Sequence, residues 1–291
     1  MRMRVEEKWV NEIWKKIDKK LSQVAVRSRN IIPYLSDENG KHIDYSKKDI
    51  CWWTNGFWAG LMWLMYADTH NEEYKETALN AERILDKAFS VYDGLHHDVG
   101  FMWHISSVVN WRMNGDNNSR IRALYAANIL AGRFNIKGNY ITAWPGVDKQ
   151  GWTIIDSMMN LSLLYWASEE SKDDRFKAIA MAHADMAMKD HVREDGRICH
   201  IVVHDHDSNE VLEVLGGQGV NSQSCWSRGS AWAIYGFVLS YIHTGKEEYL
   251  HTAKRAANYL IAACAGDWRM RADFVAPQEM TQLLLVVLLV D

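Results

Sequence analysis

The amino-acid sequence predicts an all-α fold built from helical hairpins. Three prolines in 291 residues are few, and proline interrupts helices. Apolar residues recur with helical periodicity along most of the chain. The turns between the predicted helices also repeat, because residues 69–74 (THNEEY) and 244–249 (TGKEEY) are near copies. Such a repeat indicates stacked helical hairpins.

The periodic segments define the predicted helices, which cover residues 4–26, 55–69, 72–90, 99–113, 117–133, 153–169, 173–190, 228–243 and 247–264. Hairpins of this kind form either an open solenoid or a closed toroid whose inner helices line a funnel. Loops rich in tryptophan and glycine alternate with plain polar turns; these loops are 51–60, 94–103, 143–152 and 216–232. The alternation favours the toroid, with the active site among the loops at one end.

Residues 196–219 break the helical pattern. Apolar and polar residues alternate there, and the segment ends in glycines, which predicts an extended excursion or a short hairpin. We expect an interruption of this length to shape the functional site.

Composition excludes several classes of protein. The net charge of -4 predicts no nucleic-acid partner. The four cysteines lack C-x-x-C spacing, so neither a zinc site nor a redox motif is expected. Scattered single cysteines and a charged N-terminus predict a cytoplasmic protein. The apolar run 283–290 is too short to span a bilayer, so no membrane partner is expected. We predict a monomer or a weak homo-oligomer.

Two aspartates lie in segments that suit catalysis. Asp156 follows two isoleucines and precedes two methionines. Such surroundings remove hydration from a carboxyl group and favour its protonated form, as a general acid requires. The alternative is a helix cap or a buried aspartate bonded to a hydroxyl. Asp98 stands between two histidines and an aromatic segment, just before a predicted helix, where a solvated cap is again the alternative.

Other polar residues are candidates for binding a metal ion or contacting a sugar. His96, His97 and Asp98 are adjacent in sequence, and adjacent ligands rarely meet one ion, so no metal site is predicted. The segment 204–207 (HDHD) is predicted to lie on the surface for the same reason. Arg228 and Trp232 are four residues apart and share a helical face. An arginine beside an indole can bind a carboxylate while the ring stacks on a sugar.

Four segments together resemble one family, the unsaturated glucuronyl hydrolases of glycoside hydrolase family 88. The matching segments are 52–60 (WWTNGFWAG), 96–101 (HHDVGF), 154–161 (IIDSMMNL) and 226–232 (WSRGSAW). They occur in the order of the family, and the resemblance covers roughly residues 5 to 277. It implies an (α/α)6 toroid.

The resemblance also implies an activity and a set of site residues. The family removes a terminal 4,5-unsaturated uronic acid from lyase-generated oligosaccharides of the glycosaminoglycan type, by hydrating the C4=C5 vinyl ether. By motif, Asp156 matches the general acid and base, and Asp98 matches a second essential aspartate that assists positioning and charge. The implied substrate-binding residues are Trp52, His97, Trp144, His200, Gln218, Arg228 and Trp232. No metal or organic cofactor is implied.

The end of the chain departs from the family. Residues 272–277 (ADFVAP) resemble it, whereas 278–291 (QEMTQLLLVVLLVD) do not. Codons for this tail can be read one frame over as a family-like segment, so a frameshift would explain it. We therefore predict a catalytic domain over residues 1–277, a toroid incomplete at its C-terminus. The tail over 278–291 is predicted to be aberrant and to lower stability.

Three other functions stay open at this point. One is a related unsaturated rhamnogalacturonyl hydrolase on the same fold. The second is a truncated, inactive member of the family. The third is a non-catalytic helical protein that binds sugars, which the tryptophans and the repeat alone would permit. Two aspartates within family motifs favour the enzyme.

Overall fold

A computed structural model describes residues 7–265 and 270–276. Its helices are α1 (Glu7–Arg27), α2 (Asn55–Thr69), α3 (Glu72–Leu85), α4 (Val99–Trp103), α5 (Val109–Asn114), α6 (Asn117–Ala131), α7 (Ser157–Ser171), α8 (Asp174–Asp190), α9 (Ser227–Thr244) and α10 (Glu247–Cys264). Its strands are β1 (Pro33–Ser36), β2 (His42–Asp44), β3 (Phe134–Asn135), β4 (Tyr140–Ile141), β5 (Trp152–Ile154), β6 (Ile201–His204) and β7 (Val211–Leu215). The predicted helices are thus confirmed, with the exceptions given below.

Consecutive helices pack as hairpins, in the pairs α2–α3, α7–α8 and α9–α10. The two near-copy turns have the same local structure. Thr69 and Thr244 each donate to the carbonyl one turn back, at 2.7 and 2.6 Å, and each accepts the amide two residues on at 3.2 Å. The next residue, His70 or Gly245, has a left-handed backbone that ends the helix. The repeat in sequence is therefore a repeat in structure.

The structure differs from the predicted helices at three places. The helix predicted from residue 153 begins at Ser157, because the aromatic and β-branched residues of β5 pair with β6 instead. The helix predicted over 99–113 is interrupted by a π-helical segment, His104–Val108. The helix predicted over 72–90 ends at Leu85 and continues as a 3₁₀ turn, Asp86–Ser90.

The predicted hairpin within 196–219 is confirmed by β6 and β7, which pair antiparallel. β5 joins them in a three-stranded sheet of order β5-β6-β7. Because β5 leads directly into α7, this sheet determines where the first turn of α7 lies.

The described chain divides into two compact units. Of the described residues, the first unit comprises 7–95 and 101–123, and the second comprises 96–100, 124–265 and 270–276. In the first unit, α1 packs on the α2–α3 hairpin around a core that includes the fully buried Trp63. In the second, α7 packs against both α8 and α9.

The second unit buries two neutral histidines, His183 and His191. Burial, together with smaller contributions from neighbouring histidines, lowers the pKa of His183 to about 3 and that of His191 to about 4. His183 Nδ1 accepts the amide N–H of Ile141 at 3.0 Å. A proton added to Nδ1 would therefore face another proton. The segment 204–207, predicted to lie on the surface, is partly buried too, since His204 is 2% exposed and lies 3.1 Å from an Asp190 oxygen.

These histidines make stability pH-dependent. We expect the free energy of unfolding to fall as the pH is lowered from about 7 to about 4. Unfolded imidazoles titrate near pH 6.5, whereas these two stay neutral in the folded chain to about pH 4, so the unfolded state binds more protons in that window. Each histidine contributes up to about 1.4 kcal/mol per pH unit. Urea unfolding at several pH values measures the slope.

A pair of variants assigns that slope. His183→Asn keeps an acceptor for Ile141 and should reduce the slope by about one proton. His206→Asn changes an exposed histidine and should leave the slope as it was. Equal slopes in His183→Asn and the unmodified chain would contradict the assignment.

Among the described residues, no helix combines the length and the apolar character that crossing a bilayer requires. The predicted aberrant tail, 278–291, lies outside the described residues. The assignment of 1–277 to a single catalytic domain stays a prediction.

Candidate active site

Asp156 lies where β5 ends and α7 begins. Ile154 of β5 stands opposite Ile201 of β6, and the amide of Ile155 donates to the carbonyl of His200 at 3.0 Å. This register brings the two polar residues together, with Asp156 Oδ1 3.5 Å from His200 Nε2.

The Asp156 carboxyl group is open, in the sense that its Oδ1 accepts no hydrogen bond from the described residues. It occupies the N-cap position of α7 without making a side-chain capping hydrogen bond, so the capping interpretation is not supported. Its Oδ1 and the His200 Nε2 are both buried and have no hydrogen-bond partner among the described residues. Buried polar atoms are nearly always hydrogen-bonded. Two such atoms side by side are therefore placed to meet a bound molecule.

His200 is oriented by the end of the β6–β7 hairpin. The amide of Gln218 donates to His200 Nδ1 at 2.9 Å, and the carbonyl of Gly216 lies 3.2 Å from the same nitrogen. Because an amide N–H can only donate, the shorter contact makes Nδ1 an acceptor. A neutral ring then carries its proton on Nε2, the nitrogen that faces Asp156.

Two structural features require a glycine at position 217, its backbone conformation and its close approach to His200. Its φ is +59°, and a Cβ there would lie 2.1 Å from His200 Nδ1. We expect Gly217→Ala to displace the imidazole and lower kcat/KM by about tenfold or more, since catalysis is sensitive to shifts of about 1 Å. Steady-state kinetics and thermal unfolding measure the two effects separately.

Gly245→Ala is the matched control for this substitution. Gly245 has a φ of +71°, and a Cβ there would have no neighbouring atom within 4 Å. Both variants carry the cost of a left-handed alanine, about 1 to 2 kcal/mol, but only one displaces His200. Equal kcat/KM in the two variants would show that the Gly217 contact does not matter for activity.

Asp98 and His97 form a buried ion pair. His97 Nε2 lies 3.0 Å from Asp98 Oδ1, and His97 Nδ1 lies 2.7 Å from the carbonyl oxygen of Ala143. A carbonyl only accepts, so Nδ1 carries a proton, and the contact on the other side needs a second proton. Burial lowers the pKa of His97, but the Asp98 charge, the hydrogen bonds and the Asp156 charge together raise it.

The same pair keeps Asp98 ionised. Burial raises the pKa of the Asp98 carboxyl, but the His97 charge and hydrogen bond, with a smaller contribution from His96, hold it below its ordinary value. Asp98 is 9% exposed, so the solvated-cap alternative is wrong. The two aspartates therefore differ: Asp98 is engaged by an imidazolium, and Asp156 is open.

A close helix contact places Asp98 near Asp156. Gly100, in the first turn of α4, would place a Cβ 2.6 Å from the Cα of Asn160, in the first turn of α7. Asn160 Nδ2 in turn donates to the carbonyl of Asp156 at 3.1 Å. Because only glycine permits this approach, the N-terminal turns of α4 and α7 lie against each other.

Arg228, in the first turn of α9, faces the same region. Its Nη2 donates to Gln218 Oε1 at 2.6 Å. Its guanidinium lies 4.5 Å from the ring centre of Trp226, and that ring is 4.4 Å from the ring of His200. Trp226, the residue before the helix, therefore contacts Arg228. Trp232 is half-buried one turn further along α9.

Trp144 joins the site through His97. The two rings meet edge to face with their centres 5.3 Å apart. Lys149 Nζ lies over Trp144 and over Trp152, at 5.8 and 5.7 Å. The predicted sugar contact Trp52 lies in the first unit, where its ring packs 5.5 Å from that of Tyr45.

The ligand atoms of His96, His97 and Asp98 lie within 4.8 Å of one another, which the sequence argument did not expect. Burial and the His97 charge lower the pKa of His96 to about 4, leaving it neutral. His97 has a proton on each nitrogen, however, and so offers no lone pair to an ion. The donor set fits a hydrogen-bonded ion pair better than a metal ion.

The sequence identified most of this site, and missed some of its parts. Asp98, His97, Asp156, His200, Gln218, Arg228 and Trp144 all lie in the second unit with the contacts given above. The sequence did not single out Trp226, although the residue stands in a matching segment, or Gly217. The position of Gly217 could have been noticed in the sequence, because glycines follow a strand-like segment there and precede a helix that has an arginine in its first turn.

Known proteins resemble the chain over most of its length. It is 35% identical over 266 residues to the unsaturated glucuronyl hydrolase of Bacillus sp. (strain GL1), covering 88% of this chain and 70% of that protein. It is 32% identical over 212 residues to the unsaturated chondroitin disaccharide hydrolase of Streptococcus pneumoniae, covering 72% of this chain but 54% of that protein. A comparison with protein-family profiles finds no match.

Solved structures agree with these relatives. The crystal structure of the Bacillus sp. GL1 unsaturated glucuronyl hydrolase superposes with a TM-score of 0.82 at 32% identity, covering 88% of this chain and 68% of that one. The predicted fold class, that of the (α/α)6 toroid enzymes, is thereby confirmed. With this identity over most of both sequences, the chain belongs to the unsaturated glucuronyl hydrolases, a family of glycoside hydrolases.

Proposed function

We propose that this chain removes a terminal 4,5-unsaturated uronic acid from lyase-generated oligosaccharides of the glycosaminoglycan type. The observation that carries the proposal is the open pair of Asp156 Oδ1 and His200 Nε2, 3.5 Å apart. The Asp98–His97 ion pair lies close to it. The names of the Bacillus and pneumococcal relatives support the same substrate class.

The reaction is a hydration of the C4=C5 double bond. Asp156, as the acid, donates a proton to C4, and positive charge develops at C5 and the ring oxygen. Water then bonds to C5 and gives up a proton to the Asp156 carboxylate. The resulting hemiketal opens by breaking the C5–O5 bond. This leaves a hemiacetal at C1, whose glycosidic bond breaks and releases the remaining oligosaccharide as an alcohol.

Neighbouring residues support this sequence of steps. Asp98, kept ionised by His97, stabilises the positive charge that develops at C5. The His200 Nε2–H donates a hydrogen bond to the uronate or to the Asp156 carboxylate. Arg228, held by Gln218, binds the uronate carboxylate through its planar guanidinium. Trp144 provides an aromatic face for a sugar ring.

The setting of the enzyme is part of the proposal. The four cysteines, Cys51, Cys199, Cys225 and Cys264, are free and buried, which suits the reducing cytoplasm. We propose that residues 1–277 act as the catalytic domain, as a monomer or a weak homo-oligomer.

The test uses the ultraviolet absorbance of the double bond, which is conjugated with the uronate carboxylate. Purified chain should abolish this absorbance in unsaturated chondroitin or heparin disaccharides, and a reducing sugar should be released in equal amount. Absorbance that persists with every disaccharide would refute the proposal. Loss without release of the second sugar would contradict the glycosidase step.

A further inference from the structure

A short segment of the second unit, residues 272–276, lies against the start of α9. Its sequence resembles the family, but neither the catalytic steps nor the binding residues implied by that resemblance include it. Asp273 forms an isolated antiparallel bridge with Trp226. The amide and the hydroxyl group of Ser227 both donate to the carbonyl of Ala272, at 2.9 and 3.1 Å. The segment therefore holds the backbone at the N-terminal end of α9.

The carboxylate of Asp273 is buried and binds three backbone amides. Its Oδ1 accepts from the amides of Cys225 and Val275 at 3.1 and 3.0 Å. Its Oδ2 accepts from the amide of Val220 at 3.0 Å. Burial raises the pKa of this carboxyl group, but the hydrogen bonds from these amides and from Ser224 hold it below its ordinary value. Asp273 is therefore a buried anion with both oxygens bound to the backbone.

A tight backbone turn precedes Val220, and the same turn orients His200. The amide of Gly219 donates to the carbonyl of Gly216 at 2.9 Å. That carbonyl lies 3.2 Å from His200 Nδ1, whereas the amide of Gln218 lies 2.9 Å from it. Because the bond from Val220 fixes the end of the turn to the buried carboxylate, it also fixes where these two groups lie.

The two groups favour opposite tautomers of His200. An amide N–H can only donate, so its approach requires a lone pair on Nδ1 and leaves the proton on Nε2. A carbonyl oxygen can only accept, so its approach favours a proton on Nδ1 and leaves Nε2 without one. The observed turn brings the amide closer, and the protonated Nε2 then faces Asp156. A small shift of the turn would reverse this preference.

The other carboxylate oxygen binds the amide of Cys225, the residue before Trp226. The Trp226 ring lies 4.4 Å from the His200 ring. A cation holds the same loop through its carbonyls, since Arg193 donates to the carbonyl of Ser224 at 3.0 Å. A carboxylate on the amides and an arginine on a carbonyl therefore fix the backbone around His200.

We propose that Asp273 is a positioning residue for the hydration reaction, because it holds the turn that keeps the proton on His200 Nε2. The inference rests on the proposed function, in which this N–H bonds to the uronate or to the Asp156 carboxylate. Asp273 acts through the turn and through His200, so its contribution to the rate is distinct from its contribution to stability.

The test compares Asp273→Asn with the unmodified full chain by nitrogen nuclear magnetic resonance of the histidine side chains. A side-chain amide has one oxygen. It can keep the bonds from Cys225 and Val275 only by turning its nitrogen towards the amide of Val220, and the bond that fixes the turn is then lost. We expect the His200 proton on Nε2 in the unmodified chain and a substantial fraction of it on Nδ1 in the variant. His200→Gln assigns the signals.

Steady-state kinetics of Asp273→Asn separate positioning from a loss of stability. We expect kcat to fall by about tenfold or more, since catalysis is sensitive to small displacements of its groups. KM should change less, because the carbonyl of Ala272 still holds Ser227, the neighbour of Arg228. Thermal unfolding measures stability in the same samples.

Asp205→Asn is the matched control. This carboxylate also accepts backbone amides, those of Asp207 and Ser208 at 2.9 and 2.7 Å, but it lies at the opposite end of β6 from His200. The control should keep both the tautomer and kcat.

Gly219→Ala is a second variant should Asp273→Asn fold poorly. A Cβ there would lie 3.0 Å from Asp273 Oδ2 and 2.5 Å from Ser224 Cβ, so the turn must move away from the carboxylate. A proton that stays on His200 Nε2 in both variants overturns the inference, and so does a changed tautomer with unchanged kcat. An unmodified chain that is inactive, while the tautomer shifts as expected in the variants, would refute the proposed activity alone.

Discussion

Asp156→Asn is expected to lower kcat by about 10³-fold or more while leaving the fold intact. General acid–base catalysis contributes about 10² to 10⁴ in rate, and this one carboxyl group is assigned both the protonation of C4 and the deprotonation of water. An amide of the same shape can do neither. The loss of ultraviolet absorbance measures kcat, and thermal unfolding measures stability.

The structure predicts that Asp156→Asn lowers activity strongly with little loss of stability. Asp156 Oδ1 has no hydrogen-bond partner among the described residues, and the side chain makes no helix cap. Its replacement should therefore cost little stability. Asp190→Asn is the matched control, because that carboxylate lies 3.1 Å from His204 Nε2. It should lose stability and keep kcat. An Asp156→Asn variant with kcat within tenfold of the unmodified chain would sink the assignment.

Asp98→Asn is expected to lower both activity and stability. His97 is buried, and it is held on its other side by the carbonyl of Ala143. Removing the carboxylate leaves a buried imidazolium without a counter-charge, and breaking one partner of such a pair costs about 3 to 5 kcal/mol unless the ring loses its proton. We expect kcat to fall by about 10²-fold or more, since the charge that stabilises C5 is gone.

The pH dependence separates this effect from a general loss of packing. In the unmodified chain the pKa of His97 is raised, so the pair adds stability below that folded pKa and fully below pH 6.5, until Asp98 itself is protonated. Without Asp98, burial, which lowers the His97 pKa, is opposed only by the hydrogen bond to Ala143 and the Asp156 charge, so this pKa falls. The stability lost on substitution should therefore grow as the pH falls from about 8 to about 5. Urea unfolding at several pH values measures it.

A double-mutant cycle completes this test. In His97→Gln/Asp98→Asn neither charge remains, so the combined loss of stability should be well below the sum of the two single losses. Additive losses, or a loss in Asp98→Asn that does not change with pH, would mean that the two residues do not act as an ion pair.

The hairpin architecture was predictable because its signals are local. Helical periodicity, scarce proline and the paired turns at Thr69 and Thr244 act within a few residues of chain, and the structure confirms them. The sequence predicts the start of α7 four residues too early, because the strand at Trp152–Ile154 is stabilised by β6, which is distant in sequence. Local propensity cannot report a partner of that kind.

The candidate site likewise has features that short segments of sequence encode and features that depend on contacts between distant segments. Short segments containing Asp98, Asp156 and Arg228 were recognisable by resemblance, and the same resemblance implied His200 and Gln218. The protonation states of these residues could not be predicted from the sequence, since they depend on contacts between distant segments. The amide of Gln218 makes Nδ1 of His200 an acceptor, and the carbonyl of Ala143 requires a proton on His97. Whether His96, His97 and Asp98 suit a metal ion could also be judged only from the structure, because the contacts of His97 determine which of its nitrogens carry protons.

The sequence by itself therefore determined the helical hairpins, the family and the residue types that the reaction needs, because each is encoded in short segments. Only the tertiary structure decided which carboxyl group is open and which is paired. It also placed the Trp226 ring against Arg228, and it brought Arg133 and Trp144 together around one cavity. These features depend on strand register, on the close approach of α4 and α7 at Gly100, and on burial, and all three arise from contacts between residues far apart in the chain.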